Sequence, residues 1–188
     1  LGAMKGNPLQ MLRTLVERHP VISKKVEKTR TLDISVGLIP EPFSRKQYSD
    51  RVLLVGDAAG HVKPLTGGGL YIGLSCAKLA AEVAAHALEG EPDEKSLQAY
   101  DKKVREKFGR EFELGARARM VFEEMSDEDL DVVLGMLRRE DVKEIVLKNF
   151  DFDHHGGLVK ALTRMAPSLL RELGPKRILK YTTVLMQH

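Results

Sequence analysis

The stretch Val52-Leu53-Leu54-Val55-Gly56-Asp57-Ala58-Ala59-Gly60, continued by Pro64 and by Gly67-Gly68-Gly69-Leu70, holds the residue types best suited to ligand chemistry. Asp57 follows directly on an apolar run. That order predicts a carboxylate at the carboxyl end of a strand, where open α/β sheets bind ligands. An ionised carboxylate only accepts hydrogen bonds, so Asp57 suits a hydroxyl-bearing ligand, at about 1.5–3 kcal/mol for a charge-assisted bond. Ala58, Ala59 and Gly60 keep the surface flat, and Pro64 stiffens a turn that delivers the glycine triplet to a helix starting at Leu70. Glycines let a ligand touch the backbone. The free amides and positive dipole end of that helix then favour a phosphate or an electron-rich carbonyl by about 0.3–1 kcal/mol. Taken singly, the Asp reads equally well as a helix cap and the triplet as a mobile turn; their joint spacing argues for a site.

Two other groupings hold residue types capable of chemistry. Asp151-Phe152-Asp153-His154-His155 offers carboxylates and imidazoles, but adjacent residues rarely both reach one ion and no third anchoring ligand is spaced nearby. A polar loop before Gly156-Gly157 is the better reading, and no metal is expected. The single cysteine, Cys76, excludes an intramolecular disulfide framework and a Cys-rich metal site, fits a reducing cytoplasmic compartment, and reads as a packed small residue.

The elements that must position the ligand segment follow from periodicity. Asn7 and Pro8 read as the cap and first position of a helix with Leu9, Leu12, Leu15 and Val16 on one face, stopped at His19-Pro20. Leu32, Ile34, Val36 and Leu38 alternate with polar or small residues, which predicts a half-buried strand ended by Pro40 and Pro42. Val52–Val55 lacks alternation, as expected of a central strand covered on both faces. A helix rich in small residues is predicted over 70–88. Helices follow over 96–125, 127–139, 141–149, 158–173 and 175–185, with Ser126 and Asp129 forming a capping box and a kink expected near Gly109 and Gly115. The predicted fold is an α/β fragment followed by a mostly α domain. Its divisions are 1–48, the end of a substrate-binding region; 49–90, the ligand segment; and 91–188, a helical domain.

The sequence has 188 residues, a formal net charge of +3 and 43% hydrophobic residues. That balance is ordinary for a folded protein and too neutral to imply nucleic-acid binding. No run of about 18 apolar residues is present, so nothing is expected to span a bilayer. Lys160, Arg164, Arg171, Lys176, Arg177 and Lys180 concentrate positive charge at the C-terminal end, with leucines between them. Two readings of residues 158–188 stay open: a helix pair with a basic outer face, and a peripheral contact with an anionic membrane.

In the order Gly56-Asp57-Ala58-Ala59-Gly60, Pro64, Gly67-Gly68-Gly69, the segment resembles the second FAD-binding segment of the flavoproteins that include aromatic-ring hydroxylases and geranylgeranyl reductases. The resemblance implies that Asp57 binds the ribityl chain and that Gly68 to Leu70 lie by the flavin ring and pyrophosphate. Gly56, Asp57, Ala58, Pro64, Gly67, Gly68, Gly69 and Leu70 are thus the expected FAD-binding residues. Gly60-His61 after the alanines, Pro64-Leu65-Thr66-Gly67 continuing to Leu70-Tyr71, and Gly37-Leu38-Ile39-Pro40 before Ser49-Asp50-Arg51 look like the geranylgeranyl reductase branch. The similarity is specific over about residues 32–88 and only architectural beyond.

The branch implies hydride transfer from reduced flavin to carbon-carbon double bonds of geranylgeranyl chains, with archaeal membrane-lipid precursors as substrates. Its electron donor is a reduced nicotinamide or a ferredoxin, which the residues do not distinguish, and no residue can be assigned as proton donor. His61 is read as a solvated loop histidine in preference to one that modulates the flavin or donates a proton. The chain departs from the group in lacking a Gly-x-Gly-x-x-Gly turn for the ADP part of FAD and the branch's aromatic and glycine substrate motif. It is therefore expected to be the C-terminal part of such an enzyme, supplying half a site. The rivals are an FAD-dependent hydroxylase or halogenase of the same superfamily, and a helical interaction module with a degenerate flavin segment.

Overall fold

Asn7 opens the first helix as its spacing predicts: its side-chain oxygen accepts from the Leu9 and Gln10 amides at 3.0 and 3.2 Å, with Pro8 at the first position. The structure, a computed structural model, describes residues 6–149, 151 and 166–186. These divide into two compact units, Leu1–Ile39 and Pro40–His188. In the first, α1 (Pro8–Arg18) ends at His19. The His19 ring then accepts from the Val21 and Ile22 amides at the start of a short helix the periodicity did not suggest, α2 (Ile22–Val26).

The alternating segment after α2 is not a strand. Residues 32–38 adopt no regular structure, and Leu32 and Leu38 are 93% and 100% exposed. Alternation states which side chains could share a buried face, whereas a strand exists only within a hydrogen-bonded ladder. Among the described residues no segment pairs with this one.

The second unit begins with a hairpin, β1 (Tyr48–Ser49) and β2 (Val52–Leu53), paired antiparallel with Tyr48 opposite Leu53 and turning through Arg51 at φ +57°. The expected central strand over 52–55 is thus only two residues long among the described residues. Val52 is 48% exposed, so its side of the hairpin is not covered as a central strand's would be. Helices make up the rest: α3 (Leu70–Ala87), α4 (Glu94–Glu123), α5 (Asp127–Leu137), α6 (Glu140–Asn149) and α7 (Ala166–Met186).

Ile72, Cys76, Ala80, Val83 and Ala87 recur every three or four residues along α3 and bury one face against Leu97, Tyr100, Val104, Phe108 and Phe112 of α4. Cys76 is fully buried there, as expected, and burial pushes its thiol up to about 11. α4 runs through Gly109 and Gly115 as one helix of 30 residues. The role of Gly115 is proximity: a Cβ there would lie 2.9 Å from Pro64 Cδ.

The capping box at Ser126 and Asp129 forms. Asp129 also binds α7, accepting from Tyr181 Oη at 2.5 Å and from Arg177. These donors hold its carboxyl well below the usual range, and burial with the Asp129 charge raises Tyr181 to about 12. α7 breaks at Gly174, φ +76°, before Pro175, where the sequence places a helix boundary. Residues 152–165, including most of the Asp/His cluster and the start of the predicted 158–173 helix, lie outside the described residues. No described helix is long and apolar enough to cross a membrane, and no described group of His, Cys, Asp and Glu could hold a metal ion.

Candidate flavin site

The ligand segment is a tight turn between β2 and α3. Val55 is extended, and the chain then reverses through Gly56 at φ +73° into a 3-10 turn, Gly56–Ala59, closed by Gly60 at φ +71°. The Gly60 amide donates to the Asp57 carbonyl at 3.0 Å. Only glycine fits at 60, because a Cβ would approach the Pro40 carbonyl oxygen to 2.6 Å. Asp57 and Ala58 stand exposed on the outside of the turn.

The same turn brings Asp57 to the start of α3. A Cβ on Gly69 would lie 3.2 Å from Asp57 Oδ1 and 2.9 Å from Val62 Cγ1, so close packing requires the glycine. Gly69 is the N-cap of α3 and offers no side chain to its amides, which leaves the positive end of an 18-residue helix beside an exposed carboxylate. Leu70 opens the helix 85% exposed.

Pro64 to Gly68 form a closed loop. The Lys63 amide donates to the Gly68 carbonyl at 3.0 Å and the Gly67 amide to the Lys63 carbonyl at 2.8 Å, with Gly67 at φ +72°. α4 anchors the loop from behind, where Arg119 Nη1 donates to the Pro64 carbonyl at 2.8 Å and pairs with Glu123 at 2.6 Å. Farther along, Tyr100 Oη donates to the Leu54 carbonyl at 2.9 Å. One helix thus grips the segment both before and after its turn.

His61 is placed differently from the sequence expectation of a solvated loop residue. It is fully buried, its Nδ1 accepts from the Gly56 amide at 3.1 Å, and its Nε2 lies 3.1 Å from Gln47 Oε1. Burial lowers it to about 4, against a smaller upward pull from Asp101. It is neutral at neutral pH and buried away from solvent, so neither a solvated nor a proton-donating role describes it. Nothing in sequence pattern pairs it with Gln47, 14 residues upstream, or Arg119 with Pro64; Gly115 stands out in the sequence only as a helix-internal glycine where a kink is expected, not as the contact with Pro64.

The arrangement suits a flavin nucleotide. A carboxylate for hydroxyls sits beside an uncapped helix start, and at Gly56 and Gly67 a Cβ would meet nothing within 4 Å, leaving bare backbone open to a ligand. The description "FAD binding domain" fits residues 19–113 of this chain. The chain belongs to this FAD-binding family. FAD is its cofactor.

Members named for lipid reduction are similar over most of the chain. It is 40% identical over 144 residues to digeranylgeranylglycerophospholipid reductase 2 of Methanopyrus kandleri, covering 75% of this chain and 36% of that protein. The digeranylgeranylglycerophospholipid reductase of Methanocaldococcus jannaschii is 37% identical over 169 residues, 89% of this chain and 41% of its own length. That of Methanothrix thermoacetophila is 32% identical over 171 residues, 89% of this chain and 40% of its own length. The chain therefore spans about two fifths of the curated relatives it matches. No solved structure matches.

Proposed function

We propose that this chain is the C-terminal part of an FAD-dependent reductase that hydrogenates carbon-carbon double bonds of geranylgeranyl chains in isoprenoid lipid biosynthesis. The observation that carries the reading is similarity to archaeal digeranylgeranylglycerophospholipid reductases across 75–89% of the chain, including the turn at Asp57. In this reading residues 49–90 are the second FAD-binding segment, 1–48 the end of a substrate-binding region and 91–188 a helical domain. Val52–Leu53 opens the last strand of a dinucleotide-binding sheet completed by other chain. The ADP half of FAD needs a Gly-x-Gly-x-x-Gly turn, and these residues contain none.

Asp57 would accept from the ribityl hydroxyls, Gly68 to Leu70 would bring amides and dipole to the pyrophosphate and flavin edge, and Gly56, Ala58, Pro64 and Gly67 would shape the approach. FAD, when bound, would supply the hydride, and the chain's part would be to hold and orient it. An isoprenoid lipid is the substrate, and a reduced nicotinamide or ferredoxin supplies electrons. Peripheral membrane contact through 158–188 rests on exposed Lys176 and Leu179, since Arg177 and Lys180 already bond within the chain, to Asp129 and to the Glu124 carbonyl.

The test is product analysis. The complete enzyme, reduced anaerobically and given a digeranylgeranyl lipid, should add two hydrogens per double bond by mass spectrometry. Unchanged lipid with fully reduced flavin, or a hydroxylated or halogenated product once oxygen and halide are admitted, would sink the reading.

A further inference from the structure

Gly56 and His61 are joined twice. The His61 amide donates to the Gly56 carbonyl at 3.0 Å, and the Gly56 amide donates back to His61 Nδ1 at 3.1 Å. A neutral imidazole can accept at Nδ1 only if its proton is on Nε2, and Nε2 faces the Gln47 carbonyl-type oxygen at 3.1 Å. Gln47 and His61 are both buried, at 1% and 0% exposure, so water does not compete for these bonds. Gly56 itself sits at φ +73°, a conformation its own backbone does not enforce. The residue that follows is Asp57.

We propose that His61 and Gln47 are positioning residues for the flavin: Gln47 holds the Nε2-protonated tautomer, His61 clamps Gly56, and the clamp aims the Asp57 carboxylate at the cofactor. This rests on the assignment of Asp57 to FAD. The groups facing the ring are Gln47, the Gly56 amide, Tyr100, edge-on at 6.4 Å, and the charge of Asp101. Tyr100 presents only a ring edge and its hydroxyl donates to the Leu54 carbonyl, while Gln47 Oε1 meets the opposite ring nitrogen, so in the folded turn it is Nδ1 that accepts from Gly56.

The experiment measures FAD dissociation constants on the apo-form of the complete flavoprotein, together with its melting temperature. His61→Leu should weaken FAD about tenfold, the loss of one buried hydrogen bond. His61→Asn places an amide oxygen near the Nδ1 position and should recover most of that affinity, even if both variants melt lower by similar amounts. Gln47→Met, which leaves His61 in place but frees its tautomer, should weaken FAD about threefold to tenfold, and covers the case in which His61→Leu does not fold. Equal FAD affinity in His61→Leu and His61→Asn, or wild-type affinity in Gln47→Met, would overturn the clamp. Asp57→Ala separates the two claims: it should weaken FAD tenfold to a hundredfold, and wild-type affinity there would overturn the site assignment itself.

Discussion

His61 couples the turn at Asp57 to pH. In the folded protein it titrates at about 4, and in the unfolded chain near its ordinary 6.5. Between those values the unfolded state binds the extra proton. The stability of the neutral, buried form is therefore fully present above pH 6.5 and falls by up to about 1.4 kcal/mol per pH unit as pH drops toward 4. Denaturant titrations of wild type and His61→Asn should show the wild type losing more stability across that window, and parallel curves would contradict the assignment. The placement of Asp57 after an apolar run and of the glycine triplet before a helix is legible in sequence because it is local. The burial of His61 was not legible, since Gln47 and Tyr100, which enclose it, come from 14 residues upstream and 39 downstream.

Among the elements, those that depend on local chemistry matched their spacing: the Asn7 cap, the Ser126 and Asp129 box, the break at Gly174-Pro175. Strands did not, because Leu32 to Leu38 carries the right alternation yet pairing is decided by chain far away in sequence. The basic end shows the same limit. Charge counting groups Lys176, Arg177 and Lys180, but Arg177 and Tyr181 fasten α7 to the buried Asp129 at the start of α5. Arg177→Gln should lower the melting temperature by several degrees, because a buried carboxylate loses a charged partner. Lys176→Gln should leave melting unchanged and, on the peripheral-contact reading, reduce sedimentation with anionic liposomes. Equal sedimentation would favour a basic helix face that touches only solvent.

For the whole molecule, the exposed apolar surface is large. Leu70 and Leu74 stand out from α3, Leu88 from its C-terminal cap, and Leu32 and Leu38 from the segment after α2. If the chain supplies only one side of the FAD site, as proposed, residues 1–188 purified alone should elute as oligomers or aggregates and remain colourless. A yellow monomer with one flavin per chain would contradict that. The grip of α4 has a consequence for borrowing the site. Tyr100 fixes the backbone at Leu54, while Gly115 and Arg119 fix it at Pro64, so the shape of the turn is written in a helix that begins about forty residues later. The flavin segment is not a portable cassette: residues 52–70 transplanted into another flavoprotein would take the letters of the motif and leave behind the mould that casts it.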